Sequence, residues 1–161
     1  MLLQTSLPLL LASFAAATDY GYWNVTYTGG ASATGYRYHD ATAFYSGYSP
    51  DRKATCHWLY SPEFRNETLT CNDPSFSYEL VNSQRSELFP EGFGEHGELT
   101  CMTDITIQQT VEILLDGKLQ NVTLGGTAPI ALKYNLGANG RGFGGETVVQ
   151  AEKCCKGRVN G

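Results

Sequence analysis

LTCMTDITIQQTVEILLDGKLQNVTL, residues 99–124, is the stretch on which the reading of this chain turns. Leu99, Cys101, Ile105, Ile107, Val111, Ile113 and Leu115 occupy odd positions, and Asp104, Gln108 and Glu112 occupy even ones. A period of two is the pattern of a strand with one face on a core. A helix could also group Ile107, Val111, Leu114 and Leu115. The strand is preferred because Asp116-Gly117 follows at once and a second run, Lys118 to Leu124, begins after it. Asp-Gly suits a type I′ turn, in which both central residues need positive φ. That turn sets Leu115 opposite Lys118, Val111 opposite Val122 and Glu112 opposite Asn121.

The same alternation recurs outward from this hairpin. Trp23, Val25 and Tyr27 alternate with Asn24, Thr26 and Thr28, and Ala54, Cys56, Trp58 and Tyr60 share a face. Leu69 and Cys71 share another, as do Phe76, Tyr78 and Leu80. Residues 36–45 read as one strand whose parity breaks near Asp40, which suggests a bulge. Ile130 to Leu136 and Glu146 to Ala151 read as two further strands. Gly29-Gly30, Ser49-Pro50-Asp51, Asn72-Asp73-Pro74, Pro90 to Gly97, Gly125-Gly126 and Gly137 to Gly145 read as loops. The fold class is therefore all-β: a single compact antiparallel barrel or sandwich with disulfides.

The chain has 161 residues, a net charge of −5 and a hydrophobic fraction of 42%. These values suit one domain and argue against disorder. No cluster of Lys and Arg offers a basic face, so nucleic acid is not an expected partner. No apolar run approaches the ~20 residues of a membrane span. Residues 1–17 read as a secretory signal: Leu7 to Leu11 supply the apolar centre, and Ala15-Ala16-Ala17 a small-residue cleavage site. Residues 18–161 then form the secreted domain. No apolar tail of the lipid-anchor kind follows. Asn24-Val25-Thr26, Asn66-Glu67-Thr68 and Asn121-Val122-Thr123 are glycosylation sequons. The strand parity points Asn24, Asn66 and Asn121 away from the core.

In an oxidising compartment cysteines pair. Cys56 and Cys71 stand fifteen residues apart, a span that suits a hairpin-sized loop. Cys101 is expected to pair with Cys154 or Cys155. There is no C-x-x-C unit and no cluster of His with Cys, so neither a zinc site nor any other metal or cofactor is expected.

Three constellations invite catalytic or ligand readings. Glu91, Glu95, His96 and Glu98 could serve acid–base work, but they crowd a Gly-rich segment, whereas glycoside hydrolysis needs two carboxylates held apart across a sugar. His39-Asp40 and His57 could enter a triad, yet no serine sits in a nucleophile elbow. Gly137 to Gly145 has the glycines of a phosphate loop without its Lys-Ser/Thr ending. Tyr20, Tyr22, Tyr36, Tyr38, Tyr45 and Tyr48 crowd the first third. Tyr suits recognition surfaces and also strands in general.

Thr55-Cys56, Leu69-Thr70-Cys71, the run Asn72 to Leu80 and Arg85-Ser86-Glu87-Leu88 resemble the central segment of the Alternaria major allergen family, small secreted fungal proteins. The likeness fades after Leu88. It implies a β-barrel without established enzymatic activity. It also implies a role as effector or elicitor that engages plant defence proteins. By position it carries over Cys56 and Cys71. No cysteine precedes Cys56, so the family's intermolecular disulfide has no counterpart here and self-association would be a non-covalent homodimer. The expected function is non-enzymatic recognition of a host extracellular protein or cell-wall glycan. The alternatives are a small wall-active hydrolase or a carbohydrate-binding module.

Overall fold

The computed structural model describes residues 19–47, 53–81, 99–137 and 140–154, all as strands and their connections. The strands are β1 Tyr22–Ser32, β2 Arg37–Tyr45, β3 Lys53–Ser61, β4 Asn66–Cys71, β5 Ser77–Val81, β6 Leu99–Leu115, β7 Lys118–Gly137, β8 Gly140–Gln150 and β9 Glu152–Lys153. All pairings are antiparallel, in the order β4-β3-β2-β1-β8-β7-β6-β5, with β9 added to β7. A single sheet curls into a half-barrel, which sets aside the two-sheet sandwich. Among the described residues no helix is long and apolar enough to cross a membrane. The expected leader, residues 1–17, lies outside the described residues.

The hairpin that decided the fold has the expected register. Leu115 faces Lys118, Val111 faces Val122 and Glu112 faces Asn121. Asp116 and Gly117 carry φ of 50° and 73°, the two positive values that the turn demands. The helical alternative for this stretch is excluded. Odd residues of β6 and even residues of β7 face inward, so Ile105, Ile107, Val111, Leu124, Ile130 and Leu132 are all buried. Burying one such side chain contributes about 1.5–3 kcal/mol.

Several expectations need correction. The strand 36–45 has no bulge near Asp40: β1 and β2 pair without interruption from Trp23↔Tyr45 to Ala31↔Arg37. His39, not Tyr38, is the inward residue, and Tyr38 is exposed. Gly29-Gly30 lies inside β1, because the ring of Phe143, the register partner of Gly29, occupies the space where a side chain would stand. Gly140 to Gly145 belongs to β8, so the phosphate-loop reading fails. Gly125-Gly126 lies inside β7, which joins the two expected strands into one of 20 residues.

The reason for Gly126 is close approach. A Cβ there would overlap the Gln150 carbonyl oxygen, and one on Gly125 would meet Cys154 Sγ at 2.7 Å. β7 and β8 pair only from Lys133↔Gly144 to Gly137↔Gly140, then part, and the chain returns to β7 as β9 at Leu124↔Lys153. In the gap Thr147 Oγ1 donates to the Pro129 carbonyl at 2.7 Å. Pro129 has no N–H to offer there, which fits a place where the ladder is open. Gly126→Ala is expected to lower unfolding free energy by about 1–3 kcal/mol. Gly144→Ala, whose methyl first meets Thr28 Cγ2 at 3.4 Å, is expected to cost less. Urea denaturation of the two variants checks the order.

Candidate functional site

β4 and β5 end the sheet order, and no described strand joins them to each other. Between them runs a groove of about 470 Å³, lined by His39, Trp58, Leu69, Phe76, Tyr78 and Leu80 and by the Cys56–Cys71 pair. Each ring reaches it by strand parity: His39 from the inward positions of β2, Trp58 from those of β3, and Tyr78 from those of β5.

His39 joins the two sides. Its ring stacks on Trp58 with centroids 4.4 Å apart and planes at 16°. Its Nδ1 is hydrogen-bonded to the Tyr78 hydroxyl at 2.9 Å. Tyr27 meets His39 at 5.5 Å and Tyr78 at 5.9 Å, and Phe76 stands 6.4 Å from Tyr78. The groove thus presents rings that are already held in place. Cys56 and Cys71, directly paired across β3 and β4, are joined as a disulfide with 4.1 Å between Cα atoms. In the chain-entropy model closing such a 15-residue loop contributes on the order of 3 kcal/mol. Here it also ties the terminal strand β4 to its only described neighbour.

The far wall is positioned by a buried polar chain. Trp23 Nε1–H donates to Gln109 Oε1 at 2.8 Å, and Gln109 Nε2–H donates to Asp73 Oδ2 at 3.0 Å. Asp73 Oδ1 accepts from the Ser75 N–H at 2.9 Å and the Ser75 hydroxyl at 2.7 Å. These bonds fix the turn that delivers Phe76 and Tyr78. Gln109 was legible only as a polar residue, with Thr103, in the odd, inward register of a mostly apolar strand.

The predicted site residues are distributed differently. His57 Nδ1 and Asp40 Oδ1 lie 2.6 Å apart with both side chains substantially exposed, so they form a surface pair rather than part of a nucleophilic site. Glu91, Glu95, His96 and Glu98 lie outside the described residues. Asn24, Asn66 and Asn121 are all exposed. The exposure of Asn66 owes nothing to parity, because β4 is exposed from Asn66 to Thr70. The expected Cys101–Cys154 pairing is not formed. Cys101 opposes Leu132, whereas Cys154 bonds through its N–H to Thr123, nine residues along β7 and roughly 30 Å away at ~3.3 Å per residue. Cys155 lies outside the described residues. Among the described residues no group of three or more His, Cys, Asp or Glu could hold a metal ion.

Comparison with protein-family models, with curated proteins and with solved structures gives no match for this chain.

Burial, with Asp40's charge second, pushes the Tyr78 hydroxyl up to about 12 from 10.0. Burial, with Cys101 second, does the same to Tyr134, and burial raises Tyr27 further still. These groups hold their protons more tightly folded than unfolded. The contribution of Tyr78 and Tyr134 is therefore complete below about pH 10 and is lost as pH rises from 10 through 12. Stability measured against pH is expected to fall in that window, with phenolate absorbance appearing in two steps. A single tyrosine step near pH 10 with flat stability would contradict it.

Proposed function

We propose that the chain is an exported, non-catalytic recognition protein whose aromatic groove receives an apolar side chain of a host extracellular protein. The observation that carries this reading is the preorganised ring set His39–Trp58–Tyr78 at the seam of a rigid sheet. A site whose rings are already fixed loses little side-chain entropy when it binds. Aromatic anchors in such places dominate protein recognition. The resemblance to the Alternaria major allergen family supports the same direction, with plant defence proteins as the class of partner. A second reading, binding of a cell-wall glycan, is favoured by the near-parallel His39–Trp58 stack, a flat platform of the kind that sugar faces lie on.

Pull-down from plant apoplastic fluid tests the first reading. The probe pair is the secreted protein and its Leu69→Glu variant. Leu69 lines the groove yet is 60% exposed, so a charge there disturbs binding without emptying the core. A protein captured by the parent is expected to bind the variant at least about tenfold more weakly. Equal capture would contradict the groove as the site. Glycan-array binding lost on the same substitution would establish the second reading. Polysaccharide hydrolysis abolished by replacing Glu91, Glu95 and Glu98 with Gln would overturn both.

A further inference from the structure

The exposed large apolar side chains are not scattered. Among the described residues they are Tyr22, Tyr38, Phe44, Phe64, Leu69, Met102, Leu114, Leu119 and Val148. Tyr22 precedes Asn24 by two residues, Phe64 precedes Asn66 by two, and Leu119 precedes Asn121 by two. These three side chains are 39%, 71% and 54% exposed. Tyr22 lies in β1 with Asn24 and Leu119 in β7 with Asn121, each on its asparagine's face at about 6.6–6.8 Å, whereas Phe64 stands in the turn before β4. Across the ladder Asn24 is directly opposite Phe44 on β2 and Val148 on β8. Leu114 is opposite Leu119 and diagonal to Asn121. Five of the nine exposed side chains therefore border Asn24 or Asn121 on the outer face.

Patches of this kind on a soluble surface mark contact with something. We propose that Asn24, Asn66 and Asn121 carry N-linked glycans and that the first N-acetylglucosamine units at Asn24 and Asn121 lie on these side chains and cover them. This rests on the export reading above. In the attachment step the asparagine amide nitrogen attacks the anomeric carbon of an oligosaccharide linked to a lipid pyrophosphate. A C–N bond forms, the C–O bond to pyrophosphate breaks, the lipid pyrophosphate departs, and the amide gives one proton to solvent. The attached pyranose has a face of C–H groups, which excludes water from an aromatic or leucine side chain much as another apolar residue would. Phe44 already carries Lys53 Nζ at 5.3 Å from its ring centroid, which leaves its Asn24-facing flank for the sugar.

The test uses the full chain made in a eukaryotic secretory host, with site occupancy read by peptide mapping. Trimming to a single N-acetylglucosamine per site is expected to leave Tm unchanged. Complete removal is expected to lower Tm by several degrees and to raise binding of an apolar dye. In a thermodynamic cycle, Leu119→Ala is expected to lower Tm when Asn121 is glycosylated and to change it little in the Asn121→Gln background. Occupied sites with the same Leu119→Ala effect in both backgrounds overturn this inference alone. Secreted chains with all three asparagines bare overturn it too. Retention of the chain inside the cell overturns it together with the export reading.

Discussion

The indole N–H of Trp23 points into the interior of the curl and finds the Gln109 carbonyl oxygen at 2.8 Å, with both side chains fully buried. β1 and β6 are separated along the sheet by β8 and β7. The bond therefore crosses the barrel and does not follow the ladder. A buried donor left without an acceptor costs about 1–3 kcal/mol, so this pair is far more restrictive than a greasy contact of the same size. It determines how tightly the sheet curls. Through Asp73 it also determines where β5 begins, and so where Phe76 and Tyr78 stand. The groove depends on that chain of three side chains.

The strand pattern of this protein was legible because its periodic signal is strong where one face is buried. Residues 99–124 declared their turn, register and inward face, since a one-residue slip would have placed Ile105 and Ile107 in water. Legibility failed at the glycines. Gly29, Gly126 and Gly145 read as breaks, yet each lies in a strand where a ring or a neighbouring carbonyl takes the room a side chain would need. Glycine marks close approach as well as turning, and sequence alone does not separate the two. The parity near Asp40 misled for a related reason: Tyr38 looks like a core residue and His39 does not.

The site was less legible than the fold. Trp58 and Tyr78 were assigned to inward faces, but their meeting depends on β2, β3 and β5 being brought around the curl, a contact distant in sequence. Only the tertiary arrangement shows that His39 lies flat on one and is hydrogen-bonded to the other. The acidic segment 91–98 stands out by its composition, whereas the buried amide of Gln109, which organises the wall of the groove, is one of two polar residues, with Thr103, in a mostly apolar row. The cysteines divide in the same manner. Cys56 and Cys71 are neighbours across one hairpin and could be paired by spacing, while Cys101 and Cys154 are placed by opposite stretches of β7.

The surface completes this logic. The two terminal strands of the sheet bring rings together in a groove, and the outer face sets apolar side chains beside Asn24 and Asn121. Both rest on a curl of fixed radius. Hydrogen exchange of the Trp23 indole proton, followed by NMR in the parent and in Gln109→Ala, probes that curl at its centre. Exchange as slow as global unfolding in the parent, with protection lost in the variant, is the expected result. An indole proton that exchanges freely in the parent would contradict the account.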